Sequence, residues 1–389
     1  MANVIPTLII SRRARKSGAE WNEARSWFGG APQLGRQAWP RGGPRHTPFF
    51  FLAQLDLAEV QREIGSSSTL PDGALAFFIG TSGEKDEGTV VHIPRAEPRE
   101  YTAPPTDAPA VLVPDSDIFP TTFNDDDPRL FPRWPVDITA LKIEPPTLTA
   151  DADEDEVREA EGEAQVAAVN RQFVRRQFFF KAYHAYEQLG EVERRFWWYA
   201  AHYYLTCLRT TLRLPAFGEL QQREQRAAEF ERFVHEVAEW IPAKDPWELM
   251  PPEAVETLKS TFERGKTAFG QHPRLHRPHR FDDIETEMLV ALATADDGAY
   301  ATMPEPMRNL INTHYLLPSS GWHQMFGRGV DIQGNAAIDN EGNVMLLQLV
   351  YDDMVQWRFG DMGAYQFWIP PEELARGNWS AVRVTFECG

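Results

Sequence analysis

Two segments far apart in the chain repeat one pattern, and this repeat constrains the fold more than any other feature. Leu52-Ala-Gln54-Leu55 matches Leu346-Leu-Gln348-Leu349. Downstream, Gly73-Ala-Leu-Ala-Phe77-Phe-Ile79 matches Gly363-Ala-Tyr-Gln-Phe367-Trp-Ile369. Gln54 precedes Gly73 by nineteen residues and Gln348 precedes Gly363 by fifteen, while Phe28-Gly29 and Phe326-Gly327 stand upstream at comparable distances. Three matched points in the same order predict two related strand–connection–strand units. Each glutamine then interrupts an otherwise apolar strand. A buried amide costs stability unless its donors and acceptors are met. Gln54 and Gln348 are therefore read first as braces for the loops beside them, and second as ligand-binding groups.

The rest of the chain fits around these units. A short apolar run within 46–60 and those at Gly73–Gly80, Thr89–Ile93, Asn343–Val350 and Tyr365–Ile369 predict strands, and Trp379–Glu387 alternates. In that last strand Val382, Val384 and Phe386 are expected on one face, with Arg383, Thr385 and Glu387 exposed on the other. Prolines recur through 94–150, and each removes a donor and restricts its predecessor, so irregular chain laid on the body is expected there. Asp151 to Ala164 is acidic, which suits the start of a helix. A helix is predicted over about 155–189 with Gly190 as its stop, and another over about 191–211. In the second, the stripes Phe196, Ala200, Tyr203, Cys207 and Trp197, Ala201, Tyr204, Leu208 give a wide apolar face. Further helices are expected near 217–240, 253–264, 281–294 and 306–315.

The expected fold class is α+β, with two related antiparallel strand units forming the body and a large, mostly helical insertion. The expected division is a tail over 1–20, a body over 21–93 and 317–389, the proline-rich segment over 94–150, and the helical insertion over 151–316.

Several short motifs together resemble the YwqG-like family, also called DUF1963. They are Trp27-Phe-Gly-Gly-Ala-Pro32, Trp39-Pro40, Phe50-Phe-Leu-Ala-Gln-Leu-Asp-Leu57 and Leu70-Pro-Asp-Gly-Ala-Leu-Ala-Phe-Phe78 in the first half. In the second they are His323-Gln324, Phe326-Gly327, Leu346-Leu-Gln-Leu349, Gly360-Asp361 and the ending Trp379 to Cys388. The resemblance covers about 21–93 and 317–389, and the helical middle departs from it. It implies an α+β fold with paired strand units, and it carries no cofactor, reaction or catalytic residue.

Charge and cysteine usage narrow the classes of function. The formal net charge of −18 disfavours nucleic acid and anionic lipid. The densest basic patch, Arg274 to Arg280, lacks the interleaved aromatics of a base-stacking surface. No run approaches eighteen apolar residues, so no membrane span is expected. Cys207 and Cys388 form no CxxC pair, which fits a reducing, cytoplasmic setting.

Known chemical constellations are incomplete. His272, His276 and His279 have a ligand-like spacing, but Pro273 and Pro278 break the helix it needs, so no metal is expected. His184 and Glu187 can face one another on a helix, which is more simply a surface hydrogen bond. The glycines at 29–30 and 42–43 lack the phosphate-loop pattern. The best catalytic candidate is His323 with Asp331 and Asp361, where His323 moves a proton, Asp331 orients it and Arg328 holds an anionic group. Arg328, Gln324, Gln54 and Gln348 are the candidate ligand-binding residues. The simpler reading is that His323, Gln324 and Asp331 pin a long loop. Without a complete catalytic pattern, the leading expectation is a protein-interaction or scaffold module with a protein partner and no cofactor. The alternative is a small-molecule hydrolase or ligand-binding enzyme using the loops near His323. Composition leaves the oligomeric state open.

Overall fold

The computed structural model describes residues 5–15, 21, 23–65, 70–80, 87–111, 129–148, 153–173, 196–212, 224–269, 280–281, 283–294, 297–318, 321–332, 334, 336–357 and 359–389. The chain divides into two units, one of residues 1–177 with 311–389 and one of residues 178–310.

The first unit is built on a sheet of ten strands. In chain order the strands are β1 (Leu8–Arg12), β2 (Trp27–Phe28), β5 (Phe50–Asp56), β6 (Ala74–Ile79), β7 (Gly88–Ile93), β8 (Trp134–Ala140), β9 (His323–Met325), β10 (Val344–Val350), β11 (Ala364–Ile369) and β12 (Arg383–Glu387). A separate small hairpin pairs β3 (Arg41–Gly42) with β4 (Thr47–Pro48). Helices of this unit are α1 (Leu57–Ile64) and α2 (Glu154–Gln172) and, after six further described helices, the short α9 (Ala336–Asp339) and α10 (Pro371–Arg376).

The order across the large sheet is β12-β11-β10-β9-β1-β8-β2-β5-β6-β7, and the pairings are antiparallel. It reads the same from both ends toward a central β1–β8 pair. β2, β5, β6 and β7 on one side answer to β9, β10, β11 and β12 on the other. At the centre β1 pairs with β9 and β8 pairs with β2. Both long central strands carry an irregularity at the same point, between Phe51 and Ala53 in β5 and between Met345 and Leu347 in β10. A bulge sharpens local twist and bends a strand, which suits a sheet that curls on itself. The sheet is a nearly closed barrel. A Cβ placed on Gly88 of β7 would sit 2.9 Å from Val384 of β12, and Phe77 of β6 meets Phe367 of β11 with centroids 5.2 Å apart.

Closure explains why β5, β6 and β11 are buried along their whole length. One face looks into the barrel and the other is covered. Trp27, Leu34, Phe51, Ala76 and Phe78 form one outer cluster, and Ile9, Ala168, Val169, Leu317 and Trp322 form another beneath α2. Strands covered on both faces read as continuous apolar runs rather than alternating ones.

Two segments differ from expectation. Leu8–Arg12, within the expected tail, is a fully buried strand at the centre of the sheet. Trp134–Ala140, within the expected irregular stretch, is β8, also central. Its proline is tolerated beside the two-residue strand β2, where Pro135 lies opposite Trp27. In β12 the expected exposed face fails at Glu387, which is buried because its carboxylate accepts from Ile332 N and Ala336 N. The helix begun at Asp153 has a complete capping box with Glu156 and is described to Gln172. It ends there, because Phe173 is extended, well short of the expected stop at Gly190, and residues 174–190 lie outside the described residues.

The second unit is helical: α3 (Trp198–Leu212), α4 (Glu224–Trp240), α5 (Pro252–Phe269), α6 (Asp283–Thr294) and α7 (Asp297–Thr302), followed by α8 (Glu305–His314), which runs out of it. On α3, Ala200, Ala201, Tyr204 and Leu208 are completely buried, while Tyr203 and Cys207 are half-buried. Tyr204 packs on Phe262 of α5, and Phe196 stacks on Phe281 with centroids 5.0 Å apart. These aromatics form the core of this unit.

Candidate functional site

The polar residues singled out in the sequence meet along two faces of the C-terminal half of the sheet. Direct cross-strand partners share a face. Gln324 of β9 lies opposite Gln348 of β10, Gln348 opposite Gln366 of β11, and Gln366 opposite Thr385 of β12. The result is a polar row across four strands on the outer face. Gln366 Nε2 donates to Gln348 Oε1 at 3.1 Å and to Val330 O at 2.7 Å, and Thr385 Oγ1 donates to Gln366 Oε1 at 3.2 Å. Gln324 accepts from Gln165 Nε2 of α2 at 2.7 Å and donates to Arg328 O at 2.6 Å. Gln348 Oε1 also accepts from Val330 N at 2.9 Å. Gln324, Gln348 and Gln366 are completely buried. Their amides hold the loop 326–332 against the sheet.

The corresponding row in the first half is Trp27, Gln54, Ala76 and Val91. Gln54 Oε1 accepts from Gln33 N at 2.8 Å, in the loop that follows Phe28-Gly29. Gly29 and Gly327 both have positive φ, +56° and +69°, and both abut the lead-in to a central strand. A Cβ on Gly29 would lie 2.1 Å from Pro132 O, and one on Gly327 would lie 2.1 Å from Thr7 Oγ1.

His323 faces the opposite way, into the barrel. It is completely buried, with Phe28 and Trp357 against its ring at centroid distances of 4.7 and 5.5 Å. Its Nδ1 accepts from Val350 N at 3.2 Å, which leaves the proton on Nε2, 2.9 Å from Asp352 Oδ2. Arg12 of β1 donates to the same Asp352 oxygen and, through Nε, to Tyr315 O at 2.6 Å. Asp352 Oδ1 accepts from Met354 N at 2.9 Å. Burial holds the His323 pKa well below its usual range, and the Arg12 charge adds to the effect. The imidazole is neutral, although it touches a carboxylate, because the guanidinium already balances that carboxylate and a backbone N–H occupies Nδ1. The group is an internal Arg–Asp–His unit.

The remaining candidates lie elsewhere. Asp331 is an exposed residue with a partly covered side chain, 3.5 Å from Arg328 through Oδ2, and accepts from Ala337 N at 2.8 Å through Oδ1. Asp361 is exposed beside the final residue, where its carbonyl accepts from Gly389 N at 2.7 Å. Arg328 also reaches Arg158 O of α2 at 3.4 Å, at the edge of a groove of about 490 Å³ between α2 and α9. Among the hydrogen bonds and ion pairs of the described residues, His323, Asp331 and Asp361 share no partner. Arg12, Asp352, Gln165 and Gln366 complete these networks. None of these four is among the candidate residues named from the sequence. His184, Glu187, His272, His276 and His279 lie outside the described residues. Among the described residues no group of three or more His, Cys, Asp or Glu side chains is arranged to hold a metal, and no helix is long and apolar enough to cross a membrane.

A nearly closed antiparallel barrel with a helical middle, whose interior polar groups bond to its own loops, defines the structural class. The chain belongs to the family described as a domain of unknown function, DUF1963, whose model matches residues 26–188 and 218–388. The match runs well beyond the motifs quoted above and into the middle of the chain. No curated protein matches the sequence.

Proposed function

We propose that this protein is a non-catalytic interaction module whose barrel presents the groove between α2 and α9 to a basic, amphipathic segment of a partner protein. The observation that carries this reading is the fate of its best catalytic equipment. A general base has to reach the proton it moves, and His323 is sealed among aromatic rings with both nitrogens engaged. The groove is the more open feature. Ile338 is 41 % exposed at its wall, beside Val157 and Ala337. Its arginines are already paired, Arg158 with Asp155 and Arg328 with Asp331, whereas Glu161 and Glu341 also line it. An apolar anchor flanked by unmatched carboxylates complements lysine or arginine beside leucine.

Fluorescence anisotropy tests this with two labelled synthetic peptides, one alternating lysine with leucine and one alternating lysine with serine. The leucine peptide is expected to bind at least about tenfold more tightly, and Ile338→Glu to remove that preference. Equal binding of both peptides, or an unchanged preference in the variant, overturns the proposal.

The matched bulges, the symmetric strand order and the paired glutamines support a finer reading, an internal duplication with exchanged first strands. Cys207 and Cys388, neither of them in a disulfide among the described residues, fit a reducing cytoplasmic setting for such a module.

A further inference from the structure

The two halves treat their central glutamines differently. Gln348 has a polar neighbour across the sheet, Gln366, and its own Nε2 points to Trp322 O at 3.4 Å. Gln54 has Ala76 across from it, which offers no polar side chain. Gln54 is only 3 % exposed, and its Oε1 is held by Gln33 N. Among the described residues its Nε2 has no partner, and the side chain lines a cleft of about 150 Å³ where β5 ends, β6 begins and β7 leaves the sheet. Two residues on, along the same face of β5, Asp56 lines the same cleft and is 5 % exposed. Its Oδ1 caps α1 through Ala58 N and Glu59 N, while Oδ2 has only Arg99 at 3.9 Å. Arg25 and Arg95 lie on the rim and are exposed, as is the carboxylate of Glu23. Glu97, also on the rim, is taken up by Arg36.

We infer that this cleft binds a free α-amino acid as its zwitterion, the carboxylate among Arg25, Arg95 and Arg99 and the ammonium on Asp56 Oδ2. Gln54 Nε2 donates to a carboxylate oxygen from the floor. An amide donor that faces the cleft from a buried side chain, and a buried carboxylate whose Oδ2 has only the long ion pair with Arg99, are groups that a ligand of both charges matches in pairs. A simple anion leaves Asp56 unmatched, and a simple cation faces three guanidiniums. The inference is independent of the groove beside α2, which lies on the other half of the barrel.

Calorimetric titration of the full chain with L-alanine and L-glutamate tests it, with propionate and ethylamine as single-charge controls. At least one amino acid is expected to bind at least about tenfold more tightly than both controls. Arg95→Ala is expected to weaken that binding about tenfold without moving the thermal midpoint, since Arg95 is exposed. Asp56→Asn, which keeps an Oδ1 acceptor for the helix cap, is expected to abolish the preference over propionate. Propionate binding as tightly as the amino acids overturns the inference. So does the absence of saturable binding by either amino acid up to about 10 mM, or a preference that survives Asp56→Asn in a folded variant.

Discussion

Gln54 and Gln348 do the same work in opposite halves of the sheet, each turning its side-chain oxygen onto a backbone N–H of the loop after a Phe-Gly pair, Gln33 N at 2.8 Å and Val330 N at 2.9 Å. They differ in how many groups depend on them. Gln348 Oε1 also accepts from Gln366. Replacing Gln348 by leucine strands two donors, Gln54 by leucine one, and an unmet buried donor costs about 1–3 kcal/mol. Urea unfolding is expected to show a loss of about 2–4 kcal/mol for Gln348→Leu and roughly half of that for Gln54→Leu. Equal losses would mean that the amides are not the source of the difference.

The buried imidazole predicts a pH dependence with a definite sign. His323 stays neutral in the fold because burial lowers its pKa from the ordinary 6.5. In the unfolded chain it takes up a proton as the pH falls below that value. The stability it contributes is therefore complete above about pH 6.5 and declines as the pH falls toward the folded pKa, by up to about 1.4 kcal/mol per pH unit. Glu59, whose pKa burial raises, acts with the opposite sign at lower pH. Its effect cancels when wild type is compared with His323→Gln. Unfolding free energies measured at about pH 7.5 and about pH 5.5 are expected to fall more in the wild type than in the variant. Parallel curves would remove His323 as the source.

Much of this architecture was readable because its strands are buried on both faces. The runs around Gln54 and Gln348 stand out as apolar stretches with one amide each, and their downstream partners follow the same pattern. β1 was not readable. It has five residues and ends in an arginine, and that arginine is tolerable only because Asp352, 340 residues away, meets it inside the barrel. No local pattern encodes such a partner. β8 was hidden by its proline, which argues against a central strand unless the neighbouring strand is as short as β2. The site divides in the same way. The histidine and the glutamines were visible as polar residues in apolar surroundings. Nothing local marks Asp352 above Asp331 or Asp361 as the partner of His323, and the structure pairs His323 with Asp352, just after β10. Glu387 looked like the exposed member of an alternating strand, because the loop that covers it comes from some fifty residues earlier.

Arg12 and Asp352 form a buried ion pair, and such pairs are more costly to break than to remove. Asp352→Asn leaves the Arg12 guanidinium charged in the barrel and is expected to cost about 3–5 kcal/mol. Removing both charges in Arg12→Met/Asp352→Asn is expected to recover at least about half of that loss, with a coupling energy of roughly 1–3 kcal/mol in a double-mutant cycle. Chemical unfolding of the four proteins measures it. Additive losses would show that the two residues stabilise the fold through separate contacts.

The glycines beside β1 and β8 offer the most direct check on how those two strands are placed. Gly29 and Gly327 combine a left-handed backbone with a neighbour where a Cβ would be, Pro132 O before β8 and Thr7 Oγ1 before β1. Gly65 also has a positive φ, +84°, but nothing lies within 4 Å of its Cβ position. Alanine at Gly65, where ψ is −168°, meets only the backbone preference of that region, worth about 1–3 kcal/mol. Alanine at Gly29 must also displace the backbone that leads into β8, so its loss is expected to exceed that of Gly65→Ala by at least about 1–2 kcal/mol. Gly327→Ala is expected to fall between them, because a threonine side chain yields more readily than a carbonyl. Thermal unfolding ranks the three variants. If Gly29→Ala proved no worse than Gly65→Ala, β8 would not lie against β2 in the way its register requires.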